Sequence, residues 1–256
     1  IVAQGNIRNV DAAGIYRRLV GLYDRQPNLA SRTSTSVANQ AYSTPVPLAF
    51  LASRLADVAG AKTVYEPTAG NGVLLIEADP SKARANEIDP ARSKTLVAQG
   101  FHVTQEDAAA RPLRLAPAHR FDAVIMNPPF GAVREAGKSK VFKIGDWQTT
   151  AIDHAIALNS LEAMTDDGKA VLILGGVNSD SVQERRKAYR GQGKREFYFR
   201  LYRDYNVTDH FTVAGDLYTK QGAGWPVDVV VIDGRGKSAR PLPAAQPPTI
   251  FKSWDA

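Results

Sequence analysis

The sequence predicts an α/β protein organised on a doubly wound, mostly parallel sheet. Three observations predict it. From Ala61 onward, short apolar runs alternate with segments of helical spacing. Two of the runs, Ala123–Met126 and Ala170–Leu174, are apolar without a two-residue alternation, as in strands covered on both faces. Four of the predicted strands end on a glycine turn, an acid or a proline pair, which would gather polar groups at one rim.

Taken in order, Val10–Gln26 has helical spacing, with Ile15, Leu19 and Leu22 on one side and Asp11 placed to cap it. Ser31–Gln40 is polar and reads as a loop. Thr44 is placed to cap a helix over Pro47–Val58 that stops at Gly60. Thr63–Glu66 is the first strand, followed by the turn Pro67–Gly72 and a short helix over Val73–Ala78. Ala83–Ile88 is the second strand, Pro90–Gln99 a helix stopped by Gly100, and Phe101–Thr104 the third strand. Residues 108–120 form an Ala/Arg/Pro-rich connector. Phe121–Met126 is the fourth strand, and it must end at Pro128 and Pro129, which cannot donate ladder hydrogen bonds. Gly131–Gln148 is polar and reads as a mobile loop over a site. Thr150–Met164 is a helix ended near Gly168, and Ala170–Leu174 the fifth strand. Residues 178–205 read as a helical insertion, Thr208–Val213 and Val227–Ile232 as a closing pair of strands, and the Pro/Ala-rich tail from 236 as peripheral. Residues 1–40 are expected to form a helical extension ahead of one domain over 41–235.

Composition bounds the chemistry. A chain of 256 residues, 44% hydrophobic, has enough apolar mass for one large folded domain. It has no Cys, which excludes disulfides, thiolate metal sites and a Cys nucleophile. No run approaches membrane-span length and no leader pattern is visible. Beginning at Ile1, the chain is expected to be a trimmed segment or one module of something longer. The four His residues show no metal-ligand spacing, so no metal is expected, and His154 on an apolar helix is expected to be structural.

Ligands of open α/β sheets sit beyond the carboxyl ends of the strands. There the sequence places Glu66 with the Gly70/Gly72 turn, Glu87, Asp107, and Asn127-Pro128-Pro129-Phe130. Gly70 and Gly72 let the backbone approach a ligand. Without Gly-Lys-Ser/Thr, a phosphate cradle is disfavoured. Glu87 suits the two hydroxyls of a ribose, Ile88 a purine face, Asp107 an adenine amino group and Glu66 an ammonium. S-adenosylmethionine carries that set of groups. Asn127, a rigid carbonyl-presenting turn and the Phe130 ring could grip an amino group and stack on its ring.

Tyr42-Ser43-Thr44-Pro45, Glu66-Pro67-Thr68-Ala69-Gly70-Asn71-Gly72, Asn86-Glu87-Ile88-Asp89, Glu106-Asp107-Ala108 and Asn127-Pro128-Pro129-Phe130 resemble the ordered motifs of the amino-group DNA adenine methyltransferases. The resemblance covers residues 40–235. It implies a Rossmann-like methyltransferase fold, a mixed sheet of about seven strands whose last strand is antiparallel. It implies S-adenosyl-L-methionine as cofactor, with S-adenosyl-L-homocysteine as product. Tyr42, Thr44, Glu66, Pro67, Ala69, Gly70, Gly72, Glu87, Ile88, Asp107, Ala108 and Asn127 would line that cofactor, Thr44 near its carboxylate and Glu66 near its amino group. Asn127 and the Pro128 carbonyl would hold the target amino group, Pro129 would stiffen the turn and Phe130 would stack on the base. Asp216–Gly222 is also similar to the methylase-like module that accompanies strawberry-notch-type helicases of phages and plasmids. The resemblance implies a cytoplasmic setting, in a bacterial host or associated with a phage.

The charge is concentrated. Eight Lys/Arg stand against three Asp/Glu between Ser181 and Tyr205, a net +5 of the chain's +6. Tyr189, Tyr198 and Tyr202 are interleaved, which suits phosphate contact and base stacking. Arg185, Arg186, Lys187, Arg190, Lys194 and Arg195, with Lys138 and Lys140 from the loop, are the expected nucleic-acid contacts. DNA is expected as partner ahead of RNA, with another module of a larger protein or complex supplying target recognition. Adenine-N6 methylation of RNA, methylation of a protein glutamine amide, and a catalytically silent binding module are the alternatives.

Overall fold

The computed structural model describes residues 11–27, 43–135, 137–221 and 224–255; the expected loop Ser31–Gln40 and Tyr42 lie outside them. Eight strands form one sheet in the order β12-β10-β11-β9-β4-β1-β2-β3. They are β1 (Val64–Glu66), β2 (Ala83–Asn86), β3 (His102–Thr104), β4 (Phe121–Met126), β9 (Met164–Gly175), β10 (Tyr205–Val213), β11 (Val227–Arg235) and β12 (Thr249–Phe251). All neighbouring pairs are parallel except those made by β11, which runs antiparallel between β9 and β10. The chain builds outward from β1 through β2 to β3, then returns to place β4 on the other side of β1. That reversal of winding leaves a crevice at the carboxyl ends of β1 and β4.

Strand β4 shows why the central runs lack alternation. Ala123 and Ile125 face one core and Val124 and Met126 the other, and all four are fully buried. The first core is covered by α2 (Val46–Leu55) and α3 (Pro90–Ala98), the second by α4 (Ile152–Leu161) and the pair α5 (Val182–Arg190) and α6 (Gln192–Asp204).

Several expectations need correction. Helix α1 (Ala12–Arg25) packs on α2, yet Tyr23 and not Leu22 faces inward. The Tyr23 hydroxyl donates to the Leu217 carbonyl at 2.8 Å, a bond Leu22 cannot make. Asp11 precedes α1 without a capping hydrogen bond. Thr44 does not cap α2, because Pro45 occupies the cap position. The short helix after the glycine turn is a single 3-10 turn, Val73–Leu75. Gly168 does not end α4 but lies inside β9. Residues 131–148 are not an open loop. They hold two hairpins, β5 (Arg134–Glu135) with β6 (Lys138–Ser139) and β7 (Phe142–Ile144) with β8 (Trp147–Thr149). The second is nailed down by Phe142 and Trp147, both buried in the α4–α6 core.

Residues 178–205, read as an insertion, are the crossover that carries the chain from β9 to the parallel β10. The tail contributes β12 to the sheet edge, and Trp254 meets the Tyr23 ring edge-on at 5.8 Å. Asp216–Gln221 belongs to a 3-10 turn whose Tyr218 is buried in the α2 core. Among the described residues, no helix is long and apolar enough to cross a membrane.

Candidate active site

The rim beyond β1, β2 and β3 is tied by short hydrogen bonds. Gly70 and Gly72 have φ of +56° and +79°, so the turn after β1 requires a backbone that other residues rarely adopt. At Gly72 a side chain would also fall 2.9 Å from Leu96. The turn points the Gly70 N–H at the Glu87 carboxylate, 2.7 Å away. The other Glu87 oxygen accepts the Asp89 N–H at 2.8 Å. Glu87 is therefore a buried, oriented acceptor and not a solvated strand end. Asn86 locks three strand ends together. Its amide donates to the Pro67 carbonyl at 2.9 Å and the Glu106 carbonyl at 2.8 Å, and its oxygen accepts from Thr104 and from the Glu106 N–H. Its carbonyl takes the Ala69 N–H at 2.8 Å. Sequence reasoning quoted Asn86 without giving it this task.

Glu66 closes β1 at 1% exposure, with one carboxylate oxygen buried and unpartnered among the described residues. Burial, and then the neighbouring Glu87 charge, push its carboxyl well above the usual range. Its open oxygen can accept a donor group brought to it. Ile88 beside it is 60% exposed. Asp107 is exposed and uses one oxygen to accept the Ala109 N–H at 2.9 Å, leaving the other free. A cavity of about 530 Å³ opens beside Asp107 and Ala108 and runs down the sheet face past Tyr65 and Arg84 to Asn159. It exists because the β3-to-β4 connection contains no α-helix to cover that face. Glu66, Gly70, Glu87 and Asn127 do not line it, so the cavity is a neighbour of the crevice and not its centre.

At the end of β4, the Asn127 amide donates to the Thr44 hydroxyl at 2.8 Å. Its carbonyl oxygen is buried and has no hydrogen-bond partner among the described residues. Thr44 thereby fixes the orientation of the amide, a task different from the capping expected of it. Pro128 is buried, and Pro129 and Phe130 are half-buried beside it. Asp153, missed in the sequence, holds this turn. Its carboxylate accepts the Gly131 N–H at 3.2 Å and the Gly175 N–H at 3.1 Å, joining the proline turn to the end of β9. It is 2% exposed, in the first turn of α4, where an acid is also favoured by the helix dipole. The only signal in the sequence was a single carboxylate in the largely apolar helix Ile152–Leu161.

The basic crossover divides into an inner and an outer set. Tyr189, Tyr198 and Tyr202 are buried, so the expected base stacking by these rings is overturned. Tyr189 and Tyr198 donate to the fully buried Asp228 at 2.8 and 2.9 Å, and Tyr202 pairs with His210 at 2.8 Å. Arg185 is likewise a core residue, 4% exposed and bonded to the Pro248 carbonyl and the Thr212 hydroxyl, and cannot reach a phosphate. Lys194 is half-buried and donates to the Gly175 carbonyl at 2.7 Å. Lys140 pairs with Glu135 at 2.8 Å. Arg186, Lys187, Arg190, Arg195 and Lys138 are exposed, and the described residues offer them no ion-pair partner. His154 is buried as expected, stacked on Phe197 at 4.0 Å, and burial pushes its imidazole down to about 4.

No protein-family model matches the chain, and no curated protein does. Solved structures do. A modification subunit of a putative type I restriction enzyme from Vibrio vulnificus superposes with a TM-score of 0.60 at 16% identity, covering 77% of this chain and 45% of that one. A putative class I S-adenosylmethionine-dependent methyltransferase from Listeria monocytogenes gives 0.55 at 11% identity, covering 97% and 76%. A putative RNA methyltransferase from Pyrococcus horikoshii gives 0.51 at 19% identity, covering 86% and 98%. The chain thus spans less than half of the modification subunit it resembles. The order of strands in this sheet and the likeness to these structures converge on one conclusion: the chain has a Rossmann-like methyltransferase fold.

Proposed function

We propose that the chain transfers a methyl group from S-adenosylmethionine to the N6 amino group of adenine in DNA. The observation that carries this reading is the Asn127 amide, held by Thr44 with its buried carbonyl oxygen unpartnered. A buried acceptor without a donor costs stability unless a ligand supplies one. An amino group is the donor that suits it.

The residues present fit the cofactor. Glu66 offers a buried unpartnered oxygen to its ammonium, and Glu87, oriented by Gly70 and Asp89, keeps lone pairs for the ribose hydroxyls. The exposed face of Ile88 and the free oxygen of Asp107 suit the adenine. Bound, S-adenosylmethionine supplies an activated sulfonium methyl group. Everything else asked of the protein is position. The N6 lone pair of adenine is delocalised into its ring. Asn127 and the Pro128 carbonyl, accepting the two N–H bonds, draw the nitrogen toward a tetrahedral shape and free the pair for in-line attack on the methyl carbon. As leaving group, the cofactor's sulfur would keep the carbon–sulfur bonding pair as a thioether. The methylated nitrogen, cationic after the transfer, would then release one of its two protons to solvent. The adenine must be unstacked to enter, and Phe130 offers it a new face. Arg186, Lys187, Arg190, Arg195 and Lys138, with Lys194 beside the rim, suit the phosphates of the substrate strand.

A second reading is the same chemistry on RNA. It is favoured by one comparison, since the chain covers 98% of the Pyrococcus protein described as a putative RNA methyltransferase. Target recognition and the wider assembly are assigned to parts outside a domain of this size.

The test is transfer of labelled methyl from the cofactor to DNA, RNA and protein in parallel, followed by nucleoside analysis. N6-methyladenine in DNA is the expected product. Label confined to RNA would move the reading to the second one. Cofactor binding with no label in any polymer would leave a silent module.

A further inference from the structure

Trp225 sits on the same rim through strand direction. Because β11 is antiparallel, its first residue, Val227, pairs with Gly175, the last residue of β9. The segment before β11 therefore lies beyond the carboxyl end of β9, as Asn127 lies beyond that of β4. The Trp225 ring is 51% exposed. Single exposed apolar residues are common, so exposure alone assigns nothing. Its anchoring and its neighbours do.

The backbone under Trp225 is clamped on two sides. The Gly176 N–H donates to the Pro226 carbonyl at 2.9 Å, and a side chain at Gly176 would fall 2.8 Å from that oxygen. On the other side, a side chain at Gly215 would fall 2.4 Å from the Gly224 carbonyl. The indole N–H donates to the Gly176 carbonyl at 3.3 Å. The ring is thus held by its edge. Next along the same turn, Gly175 packs against Phe130, where an added side-chain carbon would lie 3.3 Å from the Phe130 Cβ. The Gly175 carbonyl carries the Lys194 ammonium. One two-glycine turn therefore carries an aromatic ring on each side and a cation with donors to spare.

We propose that Trp225 is a second stacking platform for the acceptor strand. It packs on a nucleobase neighbouring the adenine held by Asn127 and Phe130, with Lys194 near the intervening phosphate. This rests on the nucleic-acid reading above. Stacking of this kind tolerates any base, so Trp225 would set how the strand is held and not which base follows.

The test uses the full chain with short fluorescein-labelled single-stranded oligonucleotides that contain one adenine. A parallel series replaces each neighbouring base in turn with an abasic site. Trp225→Ala is expected to weaken binding about tenfold to a hundredfold, while Trp225→Phe retains most of the affinity. At one position the abasic site should cost wild type the same factor and cost Trp225→Ala nothing more. Cofactor affinity, measured by calorimetry, should be unchanged in both variants. Equal binding by wild type and Trp225→Ala overturns the proposal. So do losses that add in full at every abasic position, or a fall in cofactor affinity, which would mark a structural role. Failure of wild type to bind any oligonucleotide overturns the nucleic-acid reading itself, and shows before any variant is compared.

Discussion

The two halves of the rim are built differently. Beyond β1, β2 and β3 the groups that face the crevice are tied to one another, Glu87 to Gly70 and Asp89, Asn86 to Pro67, Thr104 and Glu106. Beyond β4 and β9 they are tied to residues outside the strand-end motifs. Thr44 holds Asn127 from 83 positions away, Asp153 holds Gly131 and Gly175, and Trp225 and Lys194 close on the Gly175–Gly176 turn. On the function proposed above, the first half would serve as a preformed receptor for a small, constant ligand, and the second as a clamp that leaves acceptor and aromatic faces open for a polymer. Preorganisation is concentrated where the ligand never changes, and free valence where a flexible strand must enter.

Four perturbations separate the halves, beginning with the largest. Asn127→Ala removes the open acceptor, and kcat should fall about 100-fold to 1,000-fold. The cofactor Kd should stay as in wild type; a matching loss of cofactor affinity would place Asn127 in the first half. Acidification comes next, and it acts on the floor of the second half. The His154 imidazole, facing Asp153, Lys194 and Asp228, titrates at about 4 in the folded protein against 6.5 when free. Between those values the unfolded chain binds the proton and the folded chain does not. Stability is therefore full above pH 6.5 and declines by about 3 kcal/mol as pH falls to 4. Denaturant titrations of wild type and His154→Phe across this window should diverge, and parallel curves would contradict the burial argument.

Asp153→Ala strands two backbone N–H groups, which should cost about 2 kcal/mol in unfolding free energy. It should also lower turnover without touching cofactor affinity, while Asp153→Asn recovers part of both. Unaltered turnover in a folded Asp153→Ala would sever the proline turn from the end of β9. Glu66→Gln has the smallest effect and opposite signs on two readouts. Relieving the buried acid beside Glu87 should stabilise the ligand-free protein by about 1 kcal/mol, a few degrees in Tm. Losing its charge should weaken cofactor binding about tenfold. A lower Tm with unchanged binding would make Glu66 a structural acid.

How much of this was legible follows the same division. The first half could be read because its residues are consecutive in short stretches at strand ends. A glycine that needs a positive φ, an acid one helix and one strand later, and a strand end after that form a pattern written along the chain. Asp153, Gly175, Gly176 and Trp225 could not be read, since their meaning comes from which strand ends meet. The Tyr189, Tyr198 and Tyr202 rings misled for a related reason. Interleaving with Arg and Lys describes an α-helix equally well when its aromatic side packs inward, and Asp228 takes the Tyr189 and Tyr198 hydroxyls in the core while His210 pairs with that of Tyr202.

By itself the sequence determined the alternation of strands and helices, the central strand that stops on Pro128, and the chemical groups delivered to the strand ends. Local hydrogen-bonding capacity and side-chain periodicity are enough for that, because both are set within a few residues. The tertiary structure alone decided that residues 178–205 are a crossover, that Arg185 is a core residue and that the antiparallel strand is β11, between β9 and β10, and not the last one. It also set Trp225 beside Phe130's turn. Those outcomes depend on strand order and direction, which are fixed by the simultaneous burial of both sheet faces and by no single segment of the chain.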